Sequence, residues 1–386
     1  MAIQVGVGHS VLAEPLPDFA TATVQECWRS LDDHRPAHDG RAEQGWRQEN
    51  LWVTTRDGVR LAVRDCGSRD ADRTVVFLHG LCLSQVSWTH QVEHLLRRHG
   101  GAVRVISYDH RGHGRSGQSA MNSYRIEQLA DDLAQVLTTL AVSGSLTLVG
   151  HSMGGMLALC YLARPVAQRP VDAHGLVLAA TAAGKLSQRG LGKLLATPVT
   201  GLLYALIDHT PAQALQALTG PLRATLSRGD GCVPATRATL AAVTTAALAN
   251  TPLPTAVGFL PSLRDYDQYN SLGFIRAKTL VVSGGADPLT PSSHSRDLAA
   301  GISGAGHVHV PTAGHMLPQQ TPQIINAAID WVMRPAIPPA TAHPASPPPA
   351  ASRSRRPRTT ATRRTGQKSR SHLRAIHAIT VEGRAE

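Results

Sequence analysis

Leu146-Thr147-Leu148-Val149-Gly150-His151-Ser152-Met153-Gly154-Gly155-Met156 is the stretch whose reading decides the fold. Residues 146–149 are a short apolar run of strand type, and residues 156–162 read as a buried helix. Ser152 therefore stands on a strand-to-helix turn, so sharp that the positions two residues away on either side come together. Gly150 and Gly154 occupy those positions, where side chains would clash. Such a turn exposes the Ser152 oxygen, and the helix that follows aims its first N–H groups at negative charge developing there.

Outward from this turn the same alternation repeats. Thr74-Val75-Val76-Phe77-Leu78 reads as a strand, and so do residues 103–108, 145–149, 175–179 and 278–283. Between the second and third, Ile126, Leu129, Leu133, Val136, Leu137 and Leu140 recur at helical spacing. Ahead of them, residues 51–55 and 59–63 flank Asp57-Gly58 as a β-hairpin. Continuous apolar strands separated by amphipathic helices imply an α/β fold with a mostly parallel sheet covered on both faces.

Three segments interrupt or flank that pattern. Residues 1–45 show no sustained period and read as an N-terminal extension. Residues 46–181 and 273–334 read as the core. From 182 to 272 no good strand appears, and prolines at 198, 211, 221, 234, 252, 254 and 261 cut an Ala/Leu/Thr-rich stretch into short helices. An insertion of this size between sheet strands reads as a helical lid. Residues 335–351 hold seven prolines and six alanines in seventeen positions, and a basic stretch follows to residue 386, so 335–386 reads as a disordered tail.

The tail also explains the charge. It carries ten Lys and Arg against Glu382 and Glu386, hence +8 of the chain's +11, and leaves the folded part nearly neutral. It lacks interleaved aromatics and any amphipathic pattern, so it reads first as a solvated charge run that could touch polyanions weakly. Five scattered cysteines with no CxxC pair suggest free thiols in a reducing compartment. Without a basic-then-apolar leader, or a run of about 18 apolar residues, the expected location is cytoplasmic, with no transmembrane segment.

With Gly150-His151-Ser152-Met153-Gly154 in its setting, the chain resembles the α/β-hydrolase family over roughly residues 50–333. His79-Gly80-Leu81 is similar to the family's oxyanion-hole segment, and Asp109-His110-Arg111-Gly112-His113-Gly114-Arg115-Ser116 to its loop after the next strand. The order Ser, acid, His matches as well. The resemblance implies Ser152 as nucleophile. It implies an acid after a late strand, where Ser283-Gly284-Gly285-Ala286-Asp287 supplies Asp287, with Asp265 and Asp267 as weaker alternatives. It implies a base in the loop after the last strand, which is His315 rather than His307 or His309. Backbone N–H groups of Leu81 and Met153 would hold the oxyanion. His79, His110, His113 and His151 read as shapers of loops, and Asp109 and Arg111 as a structural ion pair beneath the site.

The expected activity is hydrolysis of a carboxylic ester through an acyl-enzyme on Ser152, with an apolar acyl or alkyl group suggested by the low charge of residues 182–272. The partner is a small-molecule ester, and neither metal nor organic cofactor enters this chemistry. A C–C bond hydrolase, a haloperoxidase-type perhydrolase or an acyltransferase would use the same three residues. A non-enzymatic ligand-binding protein could keep the fold.

Overall fold

The computed structural model describes residues 4–7, 47–211 and 251–334. Most of the extension, the middle of the proposed lid and the whole tail lie outside the described residues. The sheet is built from β1 (Gln4–Val7), β2 (Gln48–Thr54), β3 (Arg60–Gly67), β4 (Arg73–Leu78), β5 (Arg104–Tyr108), β6 (Ser145–His151), β7 (Ala173–Ala179), β8 (Lys278–Gly284) and β9 (Gly306–Val310). They lie side by side in the order β1-β9-β8-β7-β6-β4-β5-β3-β2. β5, β4, β6, β7, β8 and β9 run parallel, while β3 and β2 close one edge and β1 the other in antiparallel pairing.

Nine α-helices among the described residues accompany the sheet: α1 (Thr89–His99), α2 (Ile126–Thr139), α3 (Met153–Leu162), α4 (Pro198–Asp208), α5 (Leu253–Gly258), α6 (Leu260–Asp265), α7 (Ser292–Gly301), α8 (Leu317–Gln320) and α9 (Pro322–Val332). The strands are apolar throughout because successive side chains feed opposite layers. Val76, Leu78, Leu146 and Leu148 join α2, α3 and α7 in one core. Val75, Phe77, Val149 and Val177 join α1, α8 and α9 in the other. Every residue of α3 is buried, so it needs no polar face.

β1 is a departure from the sequence reading, which gave the extension no strand. Gln4-Val5-Gly6-Val7 is too short to show a period. It becomes a strand only by pairing with Gly306-His307-Val308-His309 on the outer edge of β9. Between β7 and β8 the described residues form 3₁₀ turns and α4–α6, with one isolated bridge from Gly184 to Asp267. Pro198, Pro254 and Pro261 each sit in the first turn of a helix, where a missing N–H costs nothing. Among the described residues no helix is long and apolar enough to cross a membrane.

Candidate active site

The parallel strands β4, β5, β6, β8 and β9 deliver their carboxyl ends to one rim of the sheet, and each sequence-predicted residue follows one of those ends. Ser152 is the single residue between β6 and α3, with φ 52° and ψ −120°. That conformation costs a non-glycine residue about 1–3 kcal/mol, so the surroundings must enforce it. Ser152 N–H donates to Ala179 O at 3.0 Å, and Ser152 O accepts from Thr181 Oγ1 at 2.7 Å and from Gly155 N–H at 2.9 Å. A Cβ on Gly154 would stand 2.0 Å from Leu78 O, and one on Gly150 2.5 Å from Gly155 Cα. The close approach of strand and helix thus admits only glycine there.

Asp287 and His315 are brought together across the ends of β8 and β9. His315 Nδ1–H donates to Asp287 Oδ2 at 2.8 Å, which leaves the lone pair on Nε2. The carboxylate is buried, and three further donors fix it: Leu289 N–H at 2.8 Å and Thr290 N–H at 3.0 Å on Oδ1, and Thr290 Oγ1 at 2.7 Å on Oδ2. Burial pushes the Asp287 carboxyl up, but His315 and Thr290 together outweigh it and hold the group below the usual carboxylate range. The alternatives are engaged elsewhere. Ser283 Oγ bridges His307 and His309, Asp265 pairs with Arg264 on the surface, and Asp267 accepts Tyr269 N–H.

Two contacts tie this pair to the Ser152 turn. His151 Nε2–H donates to His315 O at 2.8 Å, and the two imidazoles lie 5.0 Å apart. In the resting geometry the Ser152 hydroxyl makes no hydrogen bond among the described residues. Gly80 sits against Ser152, since a Cβ on it would be 3.2 Å from Ser152 Cβ. The neighbouring N–H of Leu81 and the N–H of Met153 have no acceptor among the described residues, whereas Leu83 N–H and Gly155 N–H do.

Beneath the turn lies a floor of buried polar groups. His79 Nδ1–H donates to Gly80 O while its Nε2 accepts His110 N–H at 2.9 Å. His113 Nδ1–H donates to Arg111 O while its Nε2 accepts Cys82 N–H at 3.1 Å. Burial pushes His79 down to about 4 and His113 and His151 down to about 3, so all three are neutral at pH 7. One expectation fails: Asp109 and Arg111 do not pair. Fully buried Arg111 grips Asp132 and Asp57 in two bidentate forks, with three of the four contacts at 2.7 Å. Asp109 accepts from Gln85 N–H, Gln85 Nε2 and Arg115 N–H. The two charges are close in sequence, yet their side chains find partners on different elements.

Sequence reasoning also missed Thr290 and Thr181. Asp287-Pro288-Leu289-Thr290 carries a readable signal, because an Asp whose oxygen accepts the N–H groups two and three residues on is a common turn. Thr181 had none, since its contact with Ser152 depends on the pairing of β6 with β7. Among the described residues no group of three or more His, Cys, Asp or Glu is placed to hold a metal ion.

The chain has relatives among known proteins. It is similar to a bifunctional esterase/perhydrolase of Acinetobacter calcoaceticus, 41% identical over 113 residues, which are 29% of this chain and 39% of that protein. It is similar over more of its length to an AB hydrolase superfamily protein of Bacillus subtilis, 25% identical over 284 residues, covering 72% of this chain and 97% of the other. Among solved structures, a hydrolase from Pseudomonas aeruginosa shares 25% identity at a TM-score of 0.56, covering 74% of this chain and 99% of that one. The family model for the alpha/beta hydrolase fold matches residues 73–319, from β4 through the loop that carries His315, and the chain accordingly belongs to the α/β-hydrolase fold family.

Proposed function

We propose that the protein is a serine hydrolase of carboxylic esters, with Ser152 as nucleophile, His315 as general base and Asp287 as its orienting acid. The observation that carries this reading is the 2.8 Å bond from His315 Nδ1 to a buried, fully hydrogen-bonded Asp287, on a loop tied to the Ser152 turn through His151 Nε2–H and His315 O. Attack of Ser152 Oγ on the ester carbonyl passes the hydroxyl proton to His315 Nε2. Asp287 stabilises the resulting imidazolium without taking the proton itself. The unpaired N–H groups of Leu81 and Met153 receive the oxyanion, at about 3 kcal/mol of transition-state stabilisation each. The alcohol leaves with the proton from His315, and water activated by the same imidazole then cleaves the acyl-enzyme.

We assign residues 46–181 and 273–334 to the catalytic core and 182–272 to a lid that selects substrate. The described parts of that segment rest on two loops of the site. Gly190 packs on Pro288 and Pro291 behind Asp287, and Phe259 lies 5.8 Å from the His113 ring. The segment is rich in Leu and Ala and low in charge, which suits an apolar acyl or alkyl group. Hydrolysis of nitrophenyl esters from acetyl to octanoyl tests this: kcat/KM rises with chain length through at least the butyryl ester, and a profile that favours acetyl contradicts it. A second reading rests on the relative described as an esterase/perhydrolase. Hydrogen peroxide in place of water would release the acyl group as a peracid and regenerate the Ser152 hydroxyl. Peracid formation with ester and peroxide together separates the two.

A further inference from the structure

Leu81, whose N–H is proposed to meet the oxyanion, lies in the turn Gly80-Leu81-Cys82-Leu83. The peptide groups on either side of it are each held by an imidazole. On the near side, His79 Nδ1–H donates to Gly80 O at 2.8 Å, and Leu83 N–H donates to the same oxygen at 3.2 Å. A trans peptide points its N–H away from its C=O, so a grip on Gly80 O fixes the direction of Leu81 N–H. On the far side, Cys82 N–H donates to His113 Nε2 at 3.1 Å and makes no other hydrogen bond among the described residues. Cys82 has φ 60°, a left-handed conformation that a residue with a side chain keeps only under constraint. The constraint comes from the loop after β5, 31 residues away in the chain.

His113 is built to hold that contact. A backbone N–H only donates and a carbonyl only accepts, so the ring carries its proton on Nδ1, which donates to Arg111 O at 3.0 Å and leaves the Nε2 lone pair for Cys82. Arg111 is itself clamped by Asp57 and Asp132, so its carbonyl is a firm mount. The His113 ring is fully buried and boxed in by His79 at 5.2 Å, His110 at 6.3 Å and Phe259 at 5.8 Å, and it cannot swing without displacing them. We propose that His113 is a positioning residue for ester hydrolysis: by accepting Cys82 N–H it fixes the turn that aims Leu81 N–H at the oxyanion. The inference rests on Ser152 and Leu81 acting as proposed. The oxyanion exists only after attack, so the loss of His113 falls on kcat, and a buried ring that meets no substrate leaves KM alone.

Steady-state hydrolysis of nitrophenyl butyrate by the full chain and three variants tests this. In His113→Gln an amide oxygen can stand in the place of Nε2 and accept Cys82 N–H. His113→Asn is too short to do so and keeps only the contact with Arg111 O, while His113→Phe fills the space of the ring without an acceptor. The Asn and Phe variants should lose about tenfold in kcat with KM changed by less than about twofold, and the Gln variant should keep kcat within about threefold of the native chain. If His113→Phe does not fold, the comparison of Gln with Asn decides, since both amides lose the same ring packing. Equal kcat in native and variant chains, an equal loss in Gln and Asn, or a rise in KM at constant kcat overturns the proposal. A native chain that neither hydrolyses the ester nor reacts with a fluorophosphonate at Ser152 overturns the serine-hydrolase reading, and this inference with it.

Discussion

The floor of the site and the segment proposed as its roof are built on opposite terms. At the ends of β4 and β5, His79, Asp109, Arg111 and His113 are buried, and each is held by two or more hydrogen bonds. Across the rim, α4 turns Val199, Leu202 and Leu206 outward at 67%, 72% and 63% exposure. Polar groups are locked inside the floor, and apolar groups lie open on the roof. The two regions differ because their demands differ. On the proposed function, groups beneath the Ser152 turn need a rigid mount, while groups of a lid that met varied acyl chains would need surface.

The largest effect should come from Asp287. In Asp287→Asn the amide oxygen stays on the N–H groups of Leu289 and Thr290 and its NH₂ faces Nδ1, so the imidazole takes the wrong tautomer and kcat for a nitrophenyl ester should fall about 10⁴-fold. A loss below tenfold would remove Asp287 from the mechanism. Next is the floor's response to pH. His79, His113 and His151 are held near 4, 3 and 3 in the fold but titrate near 6.5 when unfolded. Their folded values are depressed, so the unfolded chain binds the extra protons between those limits. Their stabilisation is complete above pH 6.5 and is lost as pH falls toward 4 and 3. Urea unfolding should show a drop of roughly 5 kcal/mol from pH 6.5 to 5, and a flat profile would mean the three rings are already solvated.

Asp132→Ala is expected to cost about 3 kcal/mol, since it strips one fork from a guanidinium that remains buried. A loss under 1 kcal/mol would show that Asp57 alone suffices. On the roof, Leu202→Ser should leave unfolding free energy within about 0.5 kcal/mol and kcat for the acetyl ester unchanged. Only kcat/KM for the octanoyl ester should fall, by a few-fold. Equal damage to both esters would erase the distinction between floor and roof.

The same contrast governs what could be read from the sequence. Apolar runs such as Val75-Val76-Phe77 and the glycines around Ser152 fix strands and turn by local rules, so the sheet and the Ser152 setting were legible in advance. Asp287 and His315 were legible by their place after β8 and β9. The partners of Arg111 were not, because Asp57 and Asp132 lie 54 and 21 residues away and only the folded loop decides where the guanidinium points. β1 was invisible for a related reason: four residues make a strand only when an open edge accepts them.

Both floor and roof matter only if Ser152 carries the reactive oxygen. Treating the full chain with a fluorophosphonate probe and mapping the adduct by peptide mass spectrometry tests this directly. A single adduct on Ser152, absent from Ser152→Ala, is predicted. An adduct on another residue, or equal labelling of the variant, would contradict it.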